Sequence, residues 1–204
     1  MLFNLGENNV DPVSNGIDGR HRRPPSHAAF HRLFDLSLVI ILSPLWLTAI
    51  ALIWLAILAT YGRPVLFRST RIGLGGGGFV MWKFRTLGLV DKPLGRLATF
   101  LRRTHLDELP QVWNVILGSM ALVGPRPLVP DDHFSLSNQK QRESIRPGMT
   151  GPWQVNRAHK FDYSDMECLD RQLVENESLR LRSAILGKTA VLVLTSLKTS
   201  FSGR

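Results

Sequence analysis

The sequence predicts a small, helix-rich, mixed α/β protein with a membrane-inserted helix near its N-terminus. Three observations indicate this fold class. An uncharged apolar run covers residues 36–60. Two β-prone runs flank the glycines at 75–78, a pattern typical of a hairpin. Later stretches over 97–117, 162–182 and 184–197 carry apolar residues at helical spacing or in nearly continuous runs, so we expect helices there.

The net charge indicates the kind of partner, and the cysteine content indicates the redox compartment. The 204 residues include 25 lysines and arginines against 16 acidic residues, a formal net charge of +9. Such a balance favours an anionic partner, which could be lipid headgroups, nucleotides or nucleic acid. Cys168 is the single cysteine, which excludes an intramolecular disulfide and favours a reducing compartment.

The uncharged run over 36–60 is long enough for a membrane helix, since crossing the hydrocarbon core takes about 20 residues. A long polar and basic segment precedes it, so we expect a permanent anchor and not a cleaved signal peptide. Pro44 lacks a backbone donor and clashes with the preceding turn, which predicts a break at Ser43-Pro44. Arginines flank the run on both sides, and these residues alone leave spanning and re-entrant forms equally open. The remaining alternative is a buried helix of a soluble protein.

Composition divides the chain into three parts. Residues 1–27 show no apolar periodicity, so we expect a mobile tail. Residues 28–62 form the membrane-inserted helical anchor, and residues 63–204 form a cytoplasmic domain. In that domain the runs at 64–68 and 79–84 are predicted to pair as a hairpin. The glycines between them lack the Gly-Lys-Ser/Thr of a phosphate-binding loop, which favours a turn.

Two adjacent carboxylates, Asp107 and Glu108, lie beside arginines in a broken helical pattern. Pro110 predicts a helix that restarts near Asp107. If Asp107 caps that helix, backbone N–H groups together with Arg102 and Arg103 favour its ionised form, which a nucleophile or metal ligand requires. A carboxylate that attacks a phosphoryl group forms an acyl phosphate. The alternative is a solvated cluster of ion pairs.

Other cations are candidates for phosphate binding. Arg126 lies between two prolines that stiffen its backbone, which suits either bidentate phosphate binding or a rigid turn with an exposed arginine. Lys83 and Arg85 occupy alternate positions, so a strand would place both on one face, toward a ligand or toward solvent. Trp153 and Gln154 either pack in a turn or line a substrate cleft.

The last third of the chain predicts two helical segments. Residues 162–182 place Met166, Leu169 and Leu173 on one face, which is typical of an amphipathic helix. Residues 184–197 are apolar but contain a glycine and a lysine. This second stretch is too short to span a membrane, so we expect it in the core or at the membrane interface.

Six motifs occur in an order that resembles the bacterial sugar transferase family, the membrane-bound polyprenyl-phosphate phosphoglycosyltransferases that initiate glycan assembly. The resemblance covers most of the chain, from about residue 32 to residue 189. Its motifs are Arg32-Leu33-Phe34-Asp35, Ser43-Pro44, Lys83-Phe84-Arg85-Thr86, Leu106-Asp107-Glu108-Leu109-Pro110-Gln111, Val123-Gly124-Pro125-Arg126-Pro127 and Arg146-Pro147-Gly148-Met149-Thr150-Gly151.

The resemblance implies that a sugar 1-phosphate passes from a UDP-sugar to undecaprenyl (polyprenyl) phosphate, with UMP released. It implies Mg²⁺ as cofactor and two steps joined by a covalent phosphosugar-Asp intermediate. Asp107 would be the nucleophile, and Glu108 would support the metal or the lipid phosphate, so both are candidate catalytic residues and metal ligands. The candidate phosphate- and substrate-binding residues are Lys83, Arg85, Arg102 and Arg126.

The family also implies a re-entrant membrane helix with both ends cytoplasmic and interfacial amphipathic helices around the active site. The expected location is the bacterial inner membrane, with residues 63–204 as a catalytic domain facing the cytoplasm. Expected partners are the UDP-sugar, the polyprenyl phosphate and membrane lipids, and a homo-oligomer is compatible with the sequence. We expect no nucleic acid, because aromatic residues make up only 8 % of the chain and many lie in apolar segments.

Some positions depart from the family pattern. Leu173 and Arg182 stand where a tyrosine and an aspartate are usual, and the segment between Thr86 and Arg102 is short. These changes bear on substrate preference and leave Asp107 in place. A membrane-tethered basic binding or scaffold protein without catalysis is the alternative, and it would explain the net charge but not the adjacent carboxylates.

Overall fold

The computed structural model describes residues 25–88, 92–131, 139–156 and 163–202. In these ranges the protein is a helix-rich mixed α/β structure with two small sheets, which confirms the predicted class. All but the last three residues of the predicted tail, 1–27, lie outside the described residues.

The apolar segment forms two helices. Helix α1 covers Pro25–Ile41 and helix α2 covers Ser43–Tyr61, with Leu42 between them at φ −87° and ψ 3°. Pro44 falls in the first turn of α2. Backbone N–H groups in the first turn have no acceptor within the helix, so a proline there costs no hydrogen bond. The predicted break is therefore confirmed. Among the described helices, α2 is long and apolar enough to cross a membrane.

The predicted hairpin is present. Strand β1, Leu66–Ile72, pairs antiparallel with strand β2, Gly78–Phe84, and its first residue lies opposite Phe84. A short 3₁₀ turn over Leu74–Gly76 joins them. Gly75 has φ 66° in this turn, a conformation that residues with a Cβ rarely adopt.

The helical pattern around the carboxylates breaks as the sequence predicts. Helix α3 covers Arg96–Arg103, a 3₁₀ helix follows over Leu106–Gln111, and helix α4 continues over Val112–Leu117. Pro110 lies inside the 3₁₀ helix. The carboxylates therefore lie on a short, tight element between two α-helices.

A second sheet was not predicted. Strand β3, Ala121–Val123, pairs in parallel with strand β4, Gly148–Thr150. A Cβ at Gly148 would clash with the backbone nitrogen of Gly124, so this approach of the two strands requires glycine. Two short helices accompany the sheet, α5 over Gln139–Arg142 and α6 over Pro152–Val155.

The last two helices correct the predicted boundaries. Helix α7 covers Tyr163–Glu175, and helix α8 covers Leu179–Ser202. The expected single helix over 162–182 is therefore two helices, although the apolar face predicted for it is buried in α7. The stretch at 184–197 belongs to a helix of 24 residues, because its glycine and lysine do not interrupt it. Its first turns pack in the core, whereas Val191 and Leu194 are exposed.

Candidate active site

Asp107 and Glu108 occupy the first turn of the 3₁₀ helix. His105 precedes this helix with φ 58°, and the backbone N–H of Glu108 donates to its carbonyl at 3.2 Å. The expectation that Asp107 caps the helix is therefore wrong, because the capping position belongs to His105. Asp107 is only 7 % exposed, and Glu108 is partly buried.

Burial dominates the acid–base behaviour of Asp107. Desolvation, assisted by the charge of Glu108, raises the pKa of Asp107 to about 6, although Lys83 and Arg102 act in the opposite direction. The expectation that the surroundings favour the ionised form of Asp107 is therefore wrong. The nearby cations do favour that form, but the cost of removing the carboxylate from water is larger. Asp107 therefore titrates close to neutral pH.

Glu108 behaves in the opposite way. Burial opposes its charge, yet Lys83, Arg126 and His105 together lower the pKa of Glu108 below its ordinary value. The ammonium of Lys83 donates to Oε1 of Glu108 at 2.6 Å. Two neighbouring carboxylates with opposite pKa shifts are a recurrent feature of catalytic sites.

A cleft opens beside Glu108. Its lining combines cations, one carboxylate and two neutral amides. These residues are Arg71, Lys83, Arg126, Glu108, Gln111 and Gln154. The concentration of guanidinium and ammonium groups suits a ligand that carries phosphates.

The loop that carries Arg126 is held from several sides. The guanidinium of Arg142 donates from Nη2 to the carbonyl of Arg126 at 2.6 Å. Arg142 also forms an ion pair with Asp170, and both residues are buried. The N–H of Gly148 donates to the carbonyl of Pro125 at 2.9 Å. Within the described residues no hydrogen bond engages the guanidinium of Arg126, so a fixed backbone presents this side chain to the cleft.

Two predicted binding residues lie elsewhere. Arg85 donates from Nη2 to the carbonyl of Tyr61 at 2.8 Å and to that of Gly62 at 3.3 Å, so it satisfies backbone groups at the end of α2. Arg102 is exposed in the last turn of α3, close enough for its charge to lower the pKa of Asp107. The structure therefore brings Lys83 and Arg126 to Glu108, and it does not bring Arg85 there.

Sequence reasoning missed Arg71, Gln111 and the buried pair of Arg142 and Asp170. The hairpin register could have revealed Arg71. This residue lies opposite Phe79, so the alternation of a strand places it on the face of Lys83. No short-range signal joins Arg142 to Asp170, because they lie on different helices far apart in sequence.

The geometry defines a class of protein, a helix-rich α/β domain joined to an apolar helix pair, with two adjacent carboxylates of which Glu108 lines a cationic cleft. Residues 26–196 match the bacterial sugar transferase family. The chain belongs to this family, and the resemblance drawn from the motifs is confirmed.

Relatives include two groups of different length. The uncharacterised sugar transferase EpsL of Bacillus subtilis is 38 % identical, over 81 % of this chain and 87 % of that protein. The undecaprenyl-phosphate galactose phosphotransferase of Salmonella typhimurium is 33 % identical, over 80 % of this chain and 40 % of that protein. The UDP-glucose:undecaprenyl-phosphate glucose-1-phosphate transferase of Escherichia coli is 34 % identical, over 61 % of this chain and 30 % of that protein. The chain spans less than half the length of the last two proteins.

Proposed function

We propose that the protein transfers a sugar 1-phosphate from a UDP-sugar to undecaprenyl phosphate and releases UMP, as an early membrane step of glycan assembly. The observation that carries this proposal is the pair of adjacent carboxylates on the 3₁₀ helix, with Glu108 lining a cationic cleft and ion-paired to Lys83. Family membership supports it. So do the relatives whose names contain both a sugar phosphate and undecaprenyl phosphate.

The reaction takes two displacements at one phosphorus atom. A carboxylate oxygen of Asp107 forms a bond to the phosphorus attached to the sugar, and the bond from that phosphorus to the bridging oxygen breaks. The electron pair leaves with UMP. A phosphate oxygen of the lipid then attacks the same phosphorus, and the bond to Asp107 breaks, which restores the carboxylate and yields the lipid diphosphate sugar.

The cations near the carboxylates supply charge compensation for these steps. Lys83 and Arg126 are placed to bind phosphate oxygens in the cleft, and Arg102 offers a further positive charge near Asp107. Transfer of a phosphoryl group depends mainly on positioning and charge neutralisation. The ion pair with Lys83 keeps Glu108 charged and fixed next to the nucleophile.

The donor set fits Mg²⁺. The described residues contain no cluster of three or more metal-binding side chains, but Mg²⁺ is commonly held by one or two carboxylates together with substrate phosphates. Asp107 and Glu108 would hold it. When bound, the ion neutralises phosphate charge and so favours attack by an anionic oxygen.

We further infer that the apolar helix pair is re-entrant, with the domain on the cytoplasmic side of the inner membrane. Support comes from both ends of the pair. Near the start, Arg32 donates to the carbonyls of Val115 and Ile116. At the end, the hydroxyl of Tyr61 accepts from the N–H of Ala98 at 3.2 Å. A straight helix of 25 residues would hold such ends about 38 Å apart, across the whole bilayer core.

The proposed function is tested by UMP release from the purified protein in lipid discs with Mg²⁺, undecaprenyl phosphate and a panel of UDP-sugars. We expect release with at least one donor and loss of more than a thousandfold in Asp107→Asn, since removal of a covalent nucleophile is that costly. Trapping a phosphosugar on Asp107, without acceptor lipid, separates two displacements from a direct transfer. A folded protein that releases no UMP with any donor would favour a binding or scaffold role.

A further inference from the structure

The cleft beside Glu108 has a neutral side that the proposed phosphate chemistry does not use. Gln111 and Gln154 line the cleft together with the cations, but their side chains are uncharged amides. Gln111 ends the 3₁₀ helix that carries the carboxylates and is 2 % exposed. Gln154 lies in α6. The two amides therefore come from separate elements that meet at one cleft.

Among the described residues, nothing donates a hydrogen bond to the side-chain carbonyl oxygen of Gln154. This atom, Oε1, is buried. Buried polar atoms in folded proteins are nearly always hydrogen-bonded, so an unsatisfied acceptor that lines a cleft points to a ligand group that satisfies it. The comparable amide of Asn114 is satisfied. It donates to the carbonyl of Val80 at 2.7 Å and to the hydroxyl of Ser119 at 3.2 Å, and its oxygen accepts from the N–H of Trp82.

The chemistry of an amide restricts what this acceptor can recognise. A glutamine carbonyl adds no charge, so it contributes little to holding phosphates that Lys83 and Arg126 already face. It accepts from an N–H or an O–H. A UDP-sugar offers such groups on its uncharged parts, which are the imide N–H of the uracil ring and the hydroxyl or amide groups of the sugar.

We propose that Gln154 is a specificity-determining residue that accepts a hydrogen bond from an uncharged N–H or O–H of the donor, while the cations of the cleft hold its diphosphate. Gln111 is a second neutral amide in the lining of the same cleft. This inference rests on the proposed function. It adds a selective contact, because a site built to hydrogen-bond a substrate group discriminates strongly against analogues that lack it.

The test compares Gln154→Met with a matched control, Gln172→Met on α7, outside the cleft. Methionine keeps an unbranched side chain of similar length and removes the acceptor. In lipid discs, UMP binding by calorimetry and the KM and kcat for the active UDP-sugar are measured for each protein. We expect Gln154→Met to lose about tenfold or more in kcat/KM, mainly through KM, and the control to match the wild type.

The two arms distinguish the source of the hydrogen bond. A tenfold loss of UMP affinity assigns the contact to the nucleoside, and unchanged UMP affinity with a raised donor KM assigns it to the sugar. Values within twofold of the wild type in both arms would overturn the inference. If Gln154→Met does not fold, Gln154→Asn, which keeps an amide on a shorter side chain, takes its place under the same criteria. A wild type that neither binds UMP nor turns over overturns the proposed function itself.

Discussion

Asp107 and Glu108 differ in acid–base behaviour because only one of them has a close cationic partner. The 3₁₀ helix directs Glu108 to the ammonium of Lys83, whereas Asp107 is buried, and the charges of Lys83 and Arg102 offset the effect of that burial only in part. Neighbouring carboxylates also repel each other's charge, which raises the pKa of the less stabilised one. The pair thus combines a fixed anion with a group that ionises near neutral pH.

The pH dependence of the reaction follows from this difference. Attack requires the ionised form of Asp107, whose pKa is about 6, so kcat/KM for the UDP-sugar should rise from pH 5 to pH 7 and then level off. Lys83→Met removes a charge that lowers the pKa of Asp107, so the rise in kcat/KM should move to higher pH. An inflection near the ordinary carboxylate value, or a profile that Lys83→Met leaves in place, would contradict this account of Asp107.

The same pKa predicts that the nucleophile destabilises the fold. A folded-state pKa of about 6 against an ordinary value of 3.8 means that the folded state holds the proton more tightly, so stability falls as pH rises between these values. Asp107→Asn should therefore be more stable than the wild type at pH 8, by roughly 3 kcal/mol, and nearly equal to it below pH 4. Unfolding in lipid discs measures this, with Asp131→Asn, at an exposed carboxylate, as control. A less stable Asp107→Asn at pH 8 would show that burial does not dominate.

At the scale of elements, a buried ion pair supports the arginine loop. Arg142 on α5 pairs with Asp170 on α7 and donates to the carbonyl of Arg126. Burial lowers the pKa of Arg142 to about 10, with Glu167 opposing the shift, so the group is charged at neutral pH. The pair joins two helices to the loop that presents Arg126.

Breaking this pair from one side should be costly. Asp170→Asn leaves the guanidinium of Arg142 buried without its carboxylate, and we expect a loss of about 3–5 kcal/mol. The double variant Arg142→Met with Asp170→Leu removes both charges and should recover much of the stability. Its UMP release should still be low, because the carbonyl of Arg126 has lost a donor. Chemical unfolding and initial rates measure the two effects, and a fully active double variant would show that the loop needs no such support.

Local patterns predicted the elements that short-range physics determines. The glycine turn and alternating strands specify the hairpin, and Ser43-Pro44 specifies the break between α1 and α2. The pairing of β3 with β4 was not predictable, because strands of three residues carry no periodicity. The acidity of Asp107 was mispredicted for a related reason. Sequence neighbours reveal nearby charges, but burial depends on how distant elements pack.

At the scale of the whole molecule, buried charges join α1, which precedes the apolar helix α2, to the start of α8. Arg182 on α8 donates from Nη2 to both carboxylate oxygens of Asp35 on α1, at 2.7 and 2.8 Å. Its Nη1 reaches Glu177 at 2.7 Å, and Glu177 also contacts His31 on α1 at 3.1 Å. The charge of Arg182 is thus matched by a carboxylate on α1. Because α1 and the end of α2 both attach to one domain, these contacts support the proposed re-entrant form, with the two ends of the apolar segment on one side of the bilayer.

Cysteine labelling tests this disposition directly. Cys168 is exposed on α7 and serves as a native reporter for the domain. In a Cys168→Ser background, single cysteines at Ala28 and Arg63 report the two sides of the apolar segment, at exposed positions. A membrane-impermeant maleimide should label none of the three sites in intact cells and all three in inverted vesicles, because a re-entrant pair keeps both flanks with the domain in the cytoplasm. Labelling of Ala28→Cys from the opposite side to Arg63→Cys would show a spanning helix. In that case the contacts of Arg32 and Asp35 with the domain would have to be broken in the membrane, since a straight helix carries its ends about 38 Å apart.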